Sequence, residues 1–218
     1  MTEPVAKHRR LSFAVKYGTV LFPFDGVRFV QALSREGFTV PESVDTEPLT
    51  RTLLVGTFRR ADVSVRIDMQ RYILGVRTPT VESLVQQMDA VESMLVQEFG
   101  LKSSALAQYY EFLADATVKA QKNPLEKWNV LMSDAMVLDR FGKMLGAEIA
   151  PFGLRLTRRG ERPNQAEWME LRVEPLIESP TDYHFVELVF RHPERTRVVQ
   201  TAVSFEQTIK DIVAIVEA

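Results

Sequence analysis

Apolar and polar residues alternate along several short stretches of the chain, a pattern typical of half-buried β-strands. The first stretch runs from Leu11 to Phe22 and stops before Pro23. Asp25 is placed to cap a short helix that ends at Gly37. Three more alternating stretches follow, and the breaks between them have room only for hairpins, so the sequence predicts antiparallel neighbours. These predicted strands are Thr52–Arg59, Val63–Met69 and Tyr72–Arg77.

Two segments of this part of the chain lack apolar periodicity. Residues Thr39–Thr50 contain two prolines and three acidic side chains, which predicts a surface loop. The basic arm Met1–Arg10 is interpreted as a frayed terminus, and the interrupted apolar stretch after it is too short to predict a signal peptide.

A long helix is predicted from Val81 to Phe99, with Thr80 at its N-cap and Gly100 at its end, because apolar residues recur there at helical spacing. The same order of elements then starts again. A strand through Tyr109–Val118 precedes a helix from Pro124 to Leu145. The remaining predicted elements are strands Phe152–Thr157, Trp168–Ile177 and Tyr183–Arg191, a fourth candidate strand at Arg197–Val203, and a closing helix at Phe205–Ala218.

The repeated order predicts an α+β protein made of two tandem β-α-β-β-β-α units, residues 1–101 and 102–218. Both closing helices begin with a hydroxyl side chain, an apolar residue and a glutamate, and Gln207 completes a capping box in the second. A parallel sheet would need crossover helices where only hairpin-length gaps exist. We therefore expect a largely antiparallel, curved sheet of about eight strands with helices on one side.

In element order, this tandem unit resembles the TATA-box-binding protein fold, whose two repeats form one curved antiparallel sheet with helices on its convex side. The layout in which Arg66–Met69 and Tyr72–Thr78 lead into a long helix is also similar to uncharacterised bacterial and archaeal families. The resemblance spans most of the chain and includes no diagnostic motif. It implies a fold, with nucleic-acid binding as an alternative function.

The composition narrows the classes of partner. The 27 basic and 29 acidic residues nearly cancel, so the overall field favours neither nucleic acid nor an anionic membrane. The absence of cysteine excludes disulfides, thiolate nucleophiles and cysteine-bound metal clusters. No apolar run approaches the ~20 residues that span a bilayer. We expect a cytoplasmic protein without a membrane partner.

Motifs that carry catalysis or cofactor binding are not found in the sequence. No Gly-x-Ser-x-Gly elbow and no glycine-rich phosphate loop occurs, and Ser103 and Ser104 are interpreted as a helix-to-strand loop. His8, His184 and His192 show no metal-ligand spacing. His184 shares a predicted apolar strand face, which indicates a hydrogen-bonded core or edge histidine. The sequence therefore predicts no metal and no cofactor, and it favours a protein that is not an enzyme.

Charged residues alternate along the predicted strand Trp168–Ile177. Glu170 and Glu174 share one face with Arg172 between them, and Glu187 is expected on a neighbouring strand. Paired carboxylates can perform general acid and base chemistry when burial raises one pKa. The favoured interpretation is a ladder of opposite charges across strands on a solvated sheet face.

A tryptophan and an arginine cluster are the other candidate binding residues. Alternation places Trp168 on the face of Glu170 and Arg172, and an exposed indole there suggests an interface; the alternative is that Trp168 folds over the hairpin of residues 158–165. Arg155, Arg158 and Arg159 surround that hairpin and form either a solvated tip or a contact with phosphate or a partner.

The leading hypothesis is a non-enzymatic protein-interaction protein, homo-oligomeric, that binds through a sheet face or a sheet edge. One alternative is a nucleic-acid-binding protein that depends on Arg155, Arg158 and Arg159. Another alternative is a small-molecule enzyme or carrier with a pocket between sheet and helices. The candidate binding residues are Trp168, Arg155, Arg158, Arg159, Glu170 and Arg172.

Overall fold

Eight strands form one antiparallel sheet in this computed structural model, which describes residues 6–41, 54–131 and 136–218. Helices separate and follow the strands, so the fold is mixed α+β. In chain order the elements are β1 (Ala6–Tyr17), α1 (Gly26–Arg35), β2 (Val55–Arg60), β3 (Val63–Asp68), β4 (Ile73–Thr78), α2 (Val81–Phe99), α3 (Ser103–Leu106), β5 (Ala107–Lys119), α4 (Pro124–Leu131), α5 (Met136–Leu145), β6 (Leu154–Thr157), β7 (Trp168–Pro175), β8 (Tyr183–His192) and α6 (Arg195–Glu217).

The strand order across the sheet is β2-β3-β4-β1-β5-β8-β7-β6, and every neighbouring pair is antiparallel. The two long strands β1 and β5 form the centre, where Phe13 lies opposite Phe112. Phe112 in turn lies opposite Phe190 of β8. The predicted antiparallel sheet of about eight strands is therefore confirmed.

The two faces of the sheet have different chemistry because side chains alternate along each strand. Phe13, Val76 and Phe112 belong to one apolar face, and all three are at most 1% exposed. The long helices α2 and α6 pack against the central strands and bury this face. The opposite side, here called the open face, bears polar and charged residues such as Arg10 and Ser12.

Local signals fix the helices that cover the apolar face. The Asp25 carboxylate accepts the N–H groups of Val27 and Arg28 and caps α1. Thr80 caps α2, and Gly100 ends it in the left-handed conformation at a φ of 64°. Both caps and the bounds of α2 agree with the sequence prediction.

Two predictions near the chain start and after α2 are wrong, and a third is tested only in part. The strand β1 begins at Ala6 rather than Leu11, since Ala6 pairs with Val118, so residues 6–10 are not a frayed arm. The predicted helix over residues 124–145 starts and ends as expected, with α4 and α5 covering its two described parts. Ser103 starts the short helix α3, and its hydroxyl lies 3.2 Å from the buried Tyr17 hydroxyl.

The largest error concerns the closing helix α6, which begins at Arg195 rather than Phe205. Residues 197–203 are helical, and Ser204 lies inside the helix, where its hydroxyl donates to the Thr201 carbonyl. The predicted fourth strand and the capping box at Ser204 are therefore wrong. Val198, Ala202 and Phe205 recur at helical spacing and are all buried, so packing on the sheet decides the conformation.

Some predictions fall outside the described residues. These are residues 1–5 of the N-terminal arm, residues 42–50 of the predicted loop, the start of the predicted strand at Thr52, and the positions Met132 and Ala135 of the predicted helix. Within the described ranges, the helices are too short or too polar to cross a lipid bilayer.

Candidate functional site

Four of the predicted site residues lie on the open face in the second half of the sheet. Trp168, Glu170 and Arg172 belong to β7, and Arg155 of β6 lies directly opposite Arg172. The strands place these residues as alternation predicts, because β7 turns Val173 toward the buried face.

The charged residues of this region pair with one another. A guanidinium nitrogen of Arg155 lies 2.7 Å from the Glu170 carboxylate across the strands, and Arg172 lies 2.6 Å from Glu174 along β7. Glu187 of β8 accepts from Arg10 of β1 at 2.7 Å, so its partner comes from the first half of the sheet. Each of these carboxylates has a cationic partner, which agrees with the predicted ladder of opposite charges and gives no support to a general acid.

The hairpin arginines do not act as one group. Arg158 lies 3.3 Å from Glu161 and stacks over the Phe190 ring at 5.3 Å, so it is attached to the sheet. Glu161 also accepts the N–H of Met169 at 2.8 Å. Arg159 is exposed at the turn after β6. The structure thus brings Arg155 and Arg158 into ion pairs and leaves Arg159 directed to solvent.

The Trp168 side chain is already covered within the chain. Its position on β7 faces Arg191 of β8, as the register requires, yet the residue is only 7% exposed. The expectation of an exposed indole on the sheet is therefore wrong. A role of Trp168 in binding a partner stays a prediction.

His184, interpreted as a core or edge histidine, lies in the core, and so does the one tryptophan of α4. Trp128 of α4 is 1% exposed, and His184 of β8 is fully buried. The His184 Nε2 atom lies 3.3 Å from the Glu217 carboxylate at the end of α6. Burial lowers the pKa of His184, and the charge of Glu217 opposes that shift. This pair joins β8 to α6.

A second cluster of ionisable groups joins α2 to α6. Arg195 lies 2.5 Å from Asp89 and 2.9 Å from Glu92. Burial raises the pKa of Glu92, and the charge of Arg195 opposes that shift. Because the Arg195 guanidinium of α6 contacts both carboxylates of α2, these ion pairs hold the two helices together over the sheet.

The helix α5 exposes an apolar surface that the sequence did not single out. None of the described side chains from 138 to 145 is fully buried. Phe141, Met144 and Leu145 are 47%, 70% and 62% exposed. A groove of about 760 Å³ separates this helix from Asn129 of α4 and from residues 148–151. We call the exposed apolar residues of α5 and its flanks the α5 surface: Leu131, Phe141, Met144, Leu145 and Phe152.

A cavity on the open face contains arginines that the sequence did not group. It lies in the first half of the sheet and has a volume of about 430 Å³. Five arginines and two acids line it, so its rim is strongly positive. We call it the arginine cavity; its arginines are Arg10, Arg59, Arg66, Arg71 and Arg77.

The sequence contained a signal for this cavity. Arg59, Arg66 and Arg77 all occupy outward positions of three successive predicted strands. When the charges of the whole open face are added together, the acidic residues of the second half of the sheet cancel these arginines, so the net charge does not indicate a positive cluster. Strand order separates the two halves and reveals it.

Among the described residues, no group of three or more histidine, aspartate and glutamate side chains is arranged to hold a metal ion. Neither the family models nor the curated proteins compared with this chain give a significant match, so its function is inferred from the geometry alone.

Proposed function

We propose that the protein is a non-enzymatic protein-interaction protein that forms homodimers through the α5 surface. The observation that carries this proposal is the uncovered apolar side of α5. Leu138, Phe141 and Leu145 recur at the i, i+3, i+7 spacing of a helix that buries one side. Large apolar side chains grouped in this way mark interaction sites on soluble proteins.

A second copy of the chain suits this surface. Homodimers are most often isologous, so that the same patch meets itself about a two-fold axis. The helix carries Asp139 in its first turn and Lys143 in its last. At about 3.6 residues per turn, both charges lie on the side of the helix away from Phe141 and Leu145, so the apolar residues of two antiparallel copies of α5 can meet without burying a charge.

The proposal also includes a tandem repeat of a TATA-box-binding-protein-like unit, divided near residue 101. The strand order supports it: in each half the first strand lies at the centre, followed outward by the fourth, third and second strands. Superposition of residues 6–100 on residues 107–217 in an experimental structure tests this part. A cytoplasmic location belongs to the same proposal and is compatible with the cysteine-free sequence.

The nucleic-acid alternative has weaker support. It depends on Arg155, Arg158 and Arg159, of which the first two already pair with Glu170 and Glu161. Phosphates would have to displace these carboxylates before binding.

Solution mass tests the proposed dimer. We expect the protein to have twice the chain mass of 24.9 kDa by light scattering after size exclusion. The substitution Met144→Lys places a charge in the interface and should give a folded monomer, since Met144 is exposed in the chain itself; its melting temperature should lose only the contribution of association.

The matched control is Ile215→Lys, because Ile215 is 73% exposed on α6 and is not one of the residues that define the α5 surface. It should remain dimeric. A monomeric parent protein, or a dimer that withstands Met144→Lys, would contradict the proposal. Salt-sensitive retention on nucleic acid that is lost with Arg159→Ser would favour the alternative instead.

A further inference from the structure

The arginine cavity forms because small side chains occupy its floor. Ser12, Ala14 and Gly75 lie side by side on β1 and β4, where a β-carbon added at Gly75 would come within 3.0 Å of the Ala14 β-carbon. Long arginines on the surrounding positions rise above this floor. A flat sheet face thereby acquires a depression of about 430 Å³, within the size range of sites for small molecules.

The positive charge of the cavity is only partly compensated. Arg66 lies 3.3 Å from Asp68, and Arg10 is held by Asp115 and Glu187. Among the described residues, Arg59, Arg71 and Arg77 form no ion pair. Asp68 is also engaged by the N–H of Arg71 at 3.0 Å. Three guanidinium groups in one cavity are thus available for a ligand.

The register sets the spacing of these groups. Arg59 lies opposite Ser64, and Ser64 lies opposite Arg77, so two strand spacings separate the backbones of the arginines, or about 9.5 Å. The Ser64 hydroxyl lies between them, and the Ser12 hydroxyl lies beyond Arg77. Such a row offers charged and neutral donors to several anionic oxygens at once.

We propose that the arginine cavity binds a small anion that carries more than one phosphoryl group. Guanidinium groups donate paired hydrogen bonds that match the oxygens of phosphate, and they stay charged at all physiological pH values. One phosphoryl group can be held by two of these flexible side chains, whereas a di- or triphosphate engages the whole row of guanidinium groups and serine hydroxyls. This ligand site is independent of the proposed dimer, because α5 does not line the cavity.

The boundary of the cavity favours a small ligand over a nucleic-acid strand. Glu111 lines the cavity on the side of β5, and Asp115 and Glu187 follow on β5 and β8. A polymer laid along the open face from the arginines would meet these carboxylates. A compact polyphosphate avoids them.

Calorimetric titration with inorganic triphosphate tests the site on the full-length protein. We expect saturable 1:1 binding. The variant Arg77→Ser should bind at least about tenfold more weakly, since a hydrogen bond to a charged group contributes about 1.5–3 kcal/mol. Arg59→Ser should act in the same way. Arg197→Ser is the matched control, because Arg197 is an exposed arginine of α6 on the other side of the sheet.

Further titrations distinguish the sources of the phosphoryl groups. Tighter binding of ATP than of triphosphate identifies a nucleotide, and equal binding identifies an inorganic polyphosphate; orthophosphate should bind at least tenfold more weakly than either. The proposal is overturned if triphosphate does not bind, if Arg197→Ser weakens binding as much as Arg77→Ser does, or if a single-stranded oligonucleotide binds more tightly than triphosphate. An unchanged melting temperature for Arg77→Ser, measured alongside, shows that the variant is folded.

Discussion

Removal of the Glu217 carboxylate should destabilise the fold through His184. Glu217 Oε1 is the hydrogen-bond partner of His184 Nε2 at 3.3 Å and also accepts the N–H of Gln121 at 2.9 Å. The other ring nitrogen of His184 is buried without a partner in the described structure. In Glu217→Ala, the imidazole would therefore be buried with neither nitrogen bonded.

The expected cost follows from these contacts. A buried polar group without a partner costs about 1–3 kcal/mol, whereas the exposed Gln121 N–H can turn to water. We expect Glu217→Ala to lose about 2 kcal/mol of unfolding free energy near pH 8. At about 2–4 °C per kcal/mol for a chain of this size, the melting temperature should fall by roughly 4–8 °C.

The same pair predicts how stability depends on pH. Burial lowers the pKa of His184 in the folded protein, so the unfolded chain binds the proton more readily. The contribution of His184 to the free energy of unfolding is fully present above the ordinary histidine pKa of about 6.5, and it is lost as the pH falls below that value. The charge of Glu217 limits the shift, and we therefore expect a steeper loss toward about pH 5.5 in Glu217→Ala and Glu217→Gln than in the parent.

Urea unfolding followed by circular dichroism, at about pH 8 and about pH 5.5, measures both effects. Glu217→Gln keeps a hydrogen-bond acceptor and should remain close to the parent at the higher pH. Glu206→Ala is the matched control, since this glutamate is exposed on α6 and its ion pair with Lys210 lies at the surface. If Glu217→Ala unfolds like Glu206→Ala at both pH values, the reasoning about His184 is refuted.

Two further substitutions test the packing of Trp168 and the cap of α1. Trp168→Ala should lose about 3 kcal/mol of unfolding free energy, because the indole is covered within the chain. The solution mass should stay the same. A changed solution mass with an unchanged melting temperature would instead show that Trp168 contacts a partner chain. Asp25→Ala removes the acceptor of two backbone N–H groups, which lie 2.8 and 3.0 Å from the carboxylate. The free energy of unfolding, measured with urea, should fall by about 1 kcal/mol. A fall smaller than a few tenths of a kcal/mol would show that the cap is dispensable.

The hairpins and the capped helices could be predicted because their signals are local. The helix α2 carries its cap at Thr80 and its stop at Gly100, and both are read from adjacent residues. The strands β2, β3 and β4 are joined by turns too short for any other connection. Antiparallel pairing follows directly from that spacing.

The start of α6 could not be predicted, because local preference and packing disagree there. Val198, Val199 and Val203 favour a strand when the segment is considered alone. The sheet instead buries Val198 and Ala202 on one side of a helix. Tertiary packing determines the conformation of such a segment.

The arginine cavity escaped prediction for a different reason. Its residues are distant in the sequence, because one helix and two strands lie between β1, which contains Arg10, and β4. Only the placement of β1 beside β4 joins Ser12 to Arg77. Composition alone could not separate the positive half of the open face from the mixed half. The α5 surface escaped as well, because an apolar helical stripe predicts burial and does not say against which chain.

Site-specific cross-linking tests the proposed dimer most directly. The chain has no cysteine, so Met144→Cys provides a single thiol in the α5 surface, and Ile215→Cys provides one of similar exposure elsewhere. With a short bis-maleimide reagent, we predict that Met144→Cys gives a covalent dimer in high yield and that Ile215→Cys does not. Equal yields from the two variants would contradict the assignment of α5 as the interface.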